Sequence, residues 1–237
     1  MELPLFFNEV YLQYGIYQYI RWNPATAPHI VIFGATGSGK TYATQLLLGR
    51  IAKHCPNSQF YTCDFKGDTD FSFLNGTEHF YRFLDCQKGL SDFYDRFKQR
   101  QSGKDKQRSF LLLFIDEWAS YILNLDKKKA EEEKKKLAML LMLGRSFNIH
   151  VLISQQRVDA SYFNSARDNF NLVIGLGNLS SEGKEMMFKE FKEEMRPDRK
   201  QGTGYMLTNG TNFTPIVVPT ITNIENLHSY IRMSTQR

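Results

Sequence analysis

Residues 34–41, Gly34-Ala35-Thr36-Gly37-Ser38-Gly39-Lys40-Thr41, satisfy G-x-x-x-x-G-K-[ST] at every fixed position. Each residue type has a chemical reason to be there. Glycines let the backbone wrap tightly and turn successive N–H groups inward on a phosphate chain, and a helix beginning near Lys40 adds its positive N-terminal end. The Lys40 ammonium can reach the outer phosphates, and the Thr41 hydroxyl can ligate Mg²⁺. Gly34, Ala35, Thr36, Gly37, Ser38, Gly39, Lys40 and Thr41 are therefore expected to bind ATP with Mg²⁺. A second constellation is acidic. Asp116-Glu117 follows directly on Phe110-Leu111-Leu112-Leu113-Phe114-Ile115, the most apolar run in the chain. Asp116 is expected to join Thr41 at the metal, and Glu117, pointing another way, to polarise a water that attacks the γ-phosphate. A bare aspartate would suit a kinase or a switch; the Asp-Glu pair suits a hydrolase.

These groups can meet only if strands deliver them to one edge of a sheet. Short apolar runs alternate with longer helical patterns, the signature of a mostly parallel sheet flanked by helices. His29–Phe33 reads as the strand before the glycine-rich loop, with a helix from Lys40 to about Lys53 after it. Further strands are expected at 59–63, 110–115, 149–154 and 172–176, with helix over 78–100. The unalternating 110–115 run predicts a strand covered on both faces. Asn209-Gly210 between two apolar runs predicts a C-terminal β-hairpin, and Pro215 predicts that its second strand is an edge or irregular. The block Lys127–Lys136 alternates lysine and glutamate triplets and reads as a solvated helix face leading into 137–143. Polar residues 179–200 read as one or two surface helices.

Composition bounds the rest. With 237 residues, of which 42% are hydrophobic, the chain can bury a large α/β core, which excludes a disordered protein. Thirty basic residues against 25 acidic ones give a net charge of +5, compatible with a polyanionic partner without requiring one. Three cysteines, none in a C-x-x-C pair, argue against a disulfide framework or zinc site and suit a cytoplasmic location. No window approaches the roughly 18 apolar residues of a membrane helix, and the first residues lack a basic leader, so no direct membrane insertion is expected. The chain divides into an aromatic-rich segment (1–28), an ATPase domain (29–220) and a C-terminal tail (221–237).

Five segments, in order, resemble the FtsK/SpoIIIE branch of the FtsK–HerA ATPases. Pro28–Thr41 is similar to the family's opening P-H-x-L-(I/V)-x-G-A-T-G-S-G-K. Cys63-Asp64-Phe65-Lys66-Gly67 is similar to its D-x-K, and Leu113–Glu117 to its Walker B. Gly144–Arg157 resembles G-R-A-x-G-I-H-L-I-L-A-T-Q-R, and Gly202–Leu207, followed by a strand ending at Pro219, resembles the closing G-x-G-x-x-L…P. The likeness spans roughly residues 20–220. It implies a RecA-like P-loop NTPase that assembles as a homo-oligomeric ring, usually a hexamer, and translocates double-stranded DNA without reading its sequence, in the transfer or packaging of a mobile element. It makes Gln156 the sensor of the γ-phosphate or attacking water. The family's trans-acting arginine finger falls on Val173 here, leaving Arg145 and Arg167 as substitutes. Asp64 and Lys66 match a family pair to which no chemistry is assigned. The family's membrane segment, linker and winged-helix reader are not seen, which predicts a bare motor with a loading or membrane partner protein. Lys66, Arg157 and Lys184 are the expected contacts to DNA phosphates. Two other readings stay open: the same ATPase acting on protein cargo, and an ATP-binding assembly factor or switch without motor activity.

Overall fold

The expected apolar runs become strands of a single sheet in the computed structural model, which describes residues 2–237. In chain order the strands are β1 (Leu3–Asn8), β2 (Tyr19–Trp22), β3 (His29–Phe33), β4 (Gln59–Asp64), β5 (Phe80–Arg82), β6 (Leu111–Asp116), β7 (Ile149–Gln155), β8 (Leu172–Leu176), β9 (Thr203–Thr208) and β10 (Asn212–Val217). Across the sheet they lie β2-β1-β10-β9-β8-β3-β7-β6-β4-β5. From β8 to β5 every neighbouring pair is parallel; β9, β10, β1 and β2 continue the sheet antiparallel. This is the mostly parallel α/β architecture that the sequence predicts.

The helices are α1 (Glu9–Leu12), α2 (Lys40–His54), α3 (Cys86–Gln101), α4 (Trp118–Asn124), α5 (Lys127–Leu143), α6 (Ser181–Met187) and α7 (Ile224–Gln236). Successive residues of a strand point to opposite faces, so each central strand feeds two cores. Ile30, Ile32, Leu112, Phe114 and Leu152 pack with Leu47 and Ile51 of α2 and Ile231 of α7. Val31, Leu113, Ile115, Val151 and Ile153 pack with Phe93 of α3, Trp118 of α4 and Leu140 of α5. Burial on both faces is why 110–115 shows no polar alternation.

The hairpin forms as expected, with Asn209 and Gly210 at φ 52° and 71° between β9 and β10. Its second strand is not an edge: β1 pairs with β10, but only at Ile216 and Val217, so the ladder stops at Pro215, which has no N–H to donate. The structure adds to or departs from the sequence reading in five places. The aromatic-rich 1–28 segment supplies β1 and β2, and Arg50 of α2 donates to Pro4 O at 2.8 Å. The 78–100 segment opens as strand, because Phe80–Arg82 adds beside β4 with Tyr81 opposite Cys63, and helix begins only at Cys86. Helix α4 was not anticipated. The 221–237 tail forms α7, whose inward face includes Ile231, Ser234 and Thr235; Ser234 Oγ lies 2.9 Å from Ser58 Oγ. In α5, Ala130 and Glu133 face inward, so the charged block is not a fully solvated face.

Arg199 joins the N-terminal segment to the hairpin. Its side chain is 4% exposed, donates to Glu9 Oε2 at 2.7 Å and Gly204 O at 2.8 Å, and lies over the Tyr205 ring. Removing one partner of a buried pair strands the other charge. Arg199→Ala is therefore expected to lower unfolding free energy by about 3 kcal/mol in a denaturant titration. Lys98→Ala, which breaks the exposed Lys98–Asp95 pair, should leave the midpoint unchanged.

Candidate active site

The topology brings the chemistry together. The glycine-rich loop follows β3, the acid pair follows β6, and Gln156 follows β7, the strand lying between them. All three therefore emerge at the carboxyl edge of a parallel sheet, where open α/β folds place their ligands. There a cleft of about 650 Å³ is lined by Thr36, Gly37, Gly39, Lys40 and Thr41, by Asp116 and Glu117, and by Gln156.

The loop's path needs glycine at its entry. A Cβ on Gly34 would lie 2.3 Å from Leu176 O, so only a residue without one lets the loop pass the end of β8. Gly39 takes φ 96° immediately before α2, a left-handed conformation that costs other residues energy. From the far side the loop is braced by backbone: Gly202 N donates to Ser38 O at 3.0 Å. Ser38 is buried and its Oγ has no partner, and Ala35 is exposed. Lys40 Nζ lies back along the loop, donating to Gly34 O at 2.8 Å and Ala35 O at 3.2 Å.

Glu117 is the strained residue of the site. It sits in the left-handed region at φ 58° and ψ 49°, a conformation costing a non-glycine residue about 1–3 kcal/mol. Its N–H donates to Ser154 O at 2.7 Å, and its carbonyl accepts from Tyr121 N at 3.1 Å in the first turn of α4. These bonds hold a geometry that turns the carboxylate out of the strand's alternation and into the cleft that Gln156 also lines. Burial raises the Asp116 carboxyl to about 7, and the charge of Glu117 pushes the same way, while a hydrogen bond from Ser154 pulls back. Burial likewise raises Glu117, opposed by the charges of Lys40 and Lys66. Burial lowers Lys40, opposed by Glu117 and Asp116.

The donor set fits a hard cation. Thr41 and Asp116 offer a hydroxyl and a carboxylate to one cleft, oxygen ligands of the type Mg²⁺ prefers. Among the described residues no cluster of His, Cys, Asp and Glu forms a metal site elsewhere.

The structure does not bring every expected residue here. Arg145 is exposed in the single 3₁₀ turn Gly144–Phe147 that precedes β7, at the opposite end of that strand from the cleft. Arg167 lies in the 3₁₀ segment Asn164–Asn169 leading to β8, with Nη1 at 3.5 Å from Val158 O. Val173 is buried in β8 and does not line the cleft. Of the three expected DNA contacts, Lys66 lines the cleft, Arg157 pairs with Asp159 at 3.2 Å just beyond β7, and Lys184 lies in α6. The sequence reading missed Ser154, Ser120, Phe65 and Gln201, which also line the cleft. Ser154 had a signal: it ends the apolar run of β7, opposite Asp116 in the register.

The raised Asp116 carboxyl binds its proton more tightly folded than unfolded. Its contribution to stability is complete below about pH 4 and is lost as pH climbs through about 7. Metal-free, nucleotide-free protein is thus expected to lose about 2–3 kcal/mol through this group between about pH 5 and pH 8. Guanidinium titrations should show that Asp116→Asn removes this loss; equal pH dependence in both proteins would refute the assignment.

Comparison with known proteins agrees with this geometry. YdcQ, an FtsK domain-containing protein of Bacillus subtilis, is 27% identical over 208 residues, covering 79% of this chain and 42% of its own length. The chain thus spans less than half of the relatives it matches. Among solved structures, the cytoplasmic domain of the type VII secretion ATPase EccC of Thermomonospora curvata superposes with a TM-score of 0.70 at 18% identity, covering all of this chain and 31% of that one. The pCW3 conjugation coupling protein TcpA, a monomer form with ATPγS, gives 0.69 at 20% identity, covering 85% of this chain and 62% of that one. These likenesses establish the RecA-like P-loop fold. The FtsK/SpoIIIE family profile matches residues 13–176, most of the chain, and the chain belongs to that family.

Proposed function

We propose that this chain is an ATP-hydrolysing motor module that moves DNA. The observation that carries the reading is the left-handed Glu117, which shares one cleft with Gln156, Lys40, Thr41 and Asp116. The loop amides and Lys40 hold the phosphates of ATP. Glu117 accepts the proton of a water whose oxygen attacks the terminal phosphorus, and the bond from that phosphorus to the leaving ADP oxygen breaks. Gln156 orients the water. Mg²⁺, held by Thr41 and Asp116, neutralises phosphate charge when bound.

Oligomerisation into a ring, a hexamer in this reading, gives the arginines a use. Neither Arg145 nor Arg167 lines its own chain's cleft, so either serves as a finger only for a neighbour's. DNA is contacted through phosphates, without base readout, by basic residues such as Arg157 and Lys184. No helix among the described residues is long and apolar enough to cross a membrane. A partner protein that loads the ring or holds it at a membrane, and a cytoplasmic location consistent with three buried cysteines that form no disulfide, complete the proposal.

ATP turnover measured with and without duplex DNA tests the motor. Stimulation by DNA that falls steeply with salt is expected. Glu117→Gln should cut turnover by about 10²–10⁴-fold while nucleotide binding survives. Turnover indifferent to DNA would favour protein cargo instead, and none at all in the assembled protein would leave a nucleotide-binding switch. In mixing experiments, a finger variant, Arg145→Ala or Arg167→Ala, is expected to be inactive alone and partly rescued by Glu117→Gln subunits that supply the arginine in trans. Failure of rescue for both variants would remove both from that role.

A further inference from the structure

Lys66 has no part in the mechanism above, yet it lines the same cleft as Lys40, Asp116 and Glu117. Its backbone is fixed from several sides. Asp64 Oδ1 accepts from Gly67 N at 2.8 Å, Arg82 donates to Asp68 O at 2.9 Å and also to Gly67 O, and Gln45 of α2 donates to Asp70 O at 2.8 Å. Phe65, just before it, packs edge-on against Tyr121 of α4 with centroids 5.5 Å apart. The register carries the loop to the acid pair as well: Asp64 lies opposite Asp116 on the neighbouring strand, so the residues following β4 and β6 enter the cleft side by side.

The side chain, by contrast, is held loosely. Its ammonium pairs with Asp68 and, at 3.7 Å, with Asp70, and it remains 52% exposed. Exposed ion pairs of this kind are weak and readily exchanged for a more highly charged partner. Lys40, the other cation of the cleft, is already engaged with the carbonyls of the loop's first turn. The far end of a triphosphate would bring its charge toward two carboxylates, and the charge of Lys66 acts on both of them. A mobile cation on a rigid backbone beside that acid pair is suited to the one phosphate that ATP has and ADP lacks.

We propose that Lys66 is a second phosphate-binding cation of the cleft, exchanging Asp68 and Asp70 for the terminal phosphate of a nucleoside triphosphate and so separating triphosphate from diphosphate. The inference rests on reading the cleft as an ATP site and gives Lys66 a nucleotide, not DNA, as its partner. The test is a calorimetric titration of the full chain, with Mg²⁺, using ATPγS and ADP as probes. Lys66→Met is expected to weaken ATPγS binding about tenfold or more and to leave ADP binding within about twofold, with Lys66→Arg keeping most of the ATPγS affinity. The residue is exposed, and an unchanged melting temperature would show that the variants fold. ATPγS binding at wild-type strength in Lys66→Met, or an equal loss for both nucleotides, overturns the inference while the site reading stands. Wild-type protein that binds neither nucleotide overturns the site reading and the inference with it.

Discussion

A loop can turn its amides inward on an anion only if its ends are clamped at the right curvature, and here the clamp is made by backbone. Gly34 passes the carbonyl of Leu176 at a distance that leaves no space for a side chain, and Gly202 donates to the carbonyl of Ser38 from the opposite flank. These contacts come from the end of β8 and the residue before β9, on one side of β3, whereas the acid pair lies on the other side, beyond β7. The glycine-rich loop is thus gripped from one half of the sheet and faces the chemistry from the other. The extension through β10, β1 and β2 bears on the site through that grip, since β9 is held in place by β10 and by Arg199.

On the other wall, desolvation sets the chemistry. Two adjacent carboxyls at the end of a strand covered on both faces are costly to ionise, which is why both are raised. What makes the arrangement tolerable is the pair of lysines in the cleft and the Ser154 hydroxyl. The left-handed turn at Glu117 then separates the two acids: Asp116 stays on the α2 face of the sheet, and Glu117 leaves the strand toward the cleft that Gln156 also lines. Strain at such a residue persists only when its neighbours over-determine it, and the Ser154 carbonyl and the first turn of α4 do so. Farther out, Tyr121 of α4 donates to the buried carboxyl of Glu133 in α5 at 2.9 Å, anchoring that turn in the core.

The arginines obey a different geometry. Arg100 is fully buried and donates to Phe147 O at 2.7 Å, which fixes the turn carrying Arg145 at the amino end of β7. An exposed arginine on a fixed turn so far from its own cleft is available to a neighbouring subunit, which is the use the ring proposal gives it.

Much of this was legible in the chain. The strand, glycine loop and helix at 29–54, the apolar run ending in Asp116-Glu117, and the Asn209-Gly210 hairpin follow from local rules: backbone freedom, burial on two faces, and turn chemistry. Local rules are silent where pairing is remote. Phe80–Arg82 is too short to show a period and becomes strand only because β4 offers an edge. Segment 1–28 and α7 gain their partners from the sheet and α2, far away in the sequence. The strand order that inserts β7 between β3 and β6, the left-handed turn that aims Glu117, and the placement of Lys66 beside the acid pair come from contacts between residues far apart in sequence. Residue types and spacing determined which groups could do the chemistry; only the tertiary structure decided which of them share a cleft, because that depends on strand neighbours that no local stretch of sequence specifies.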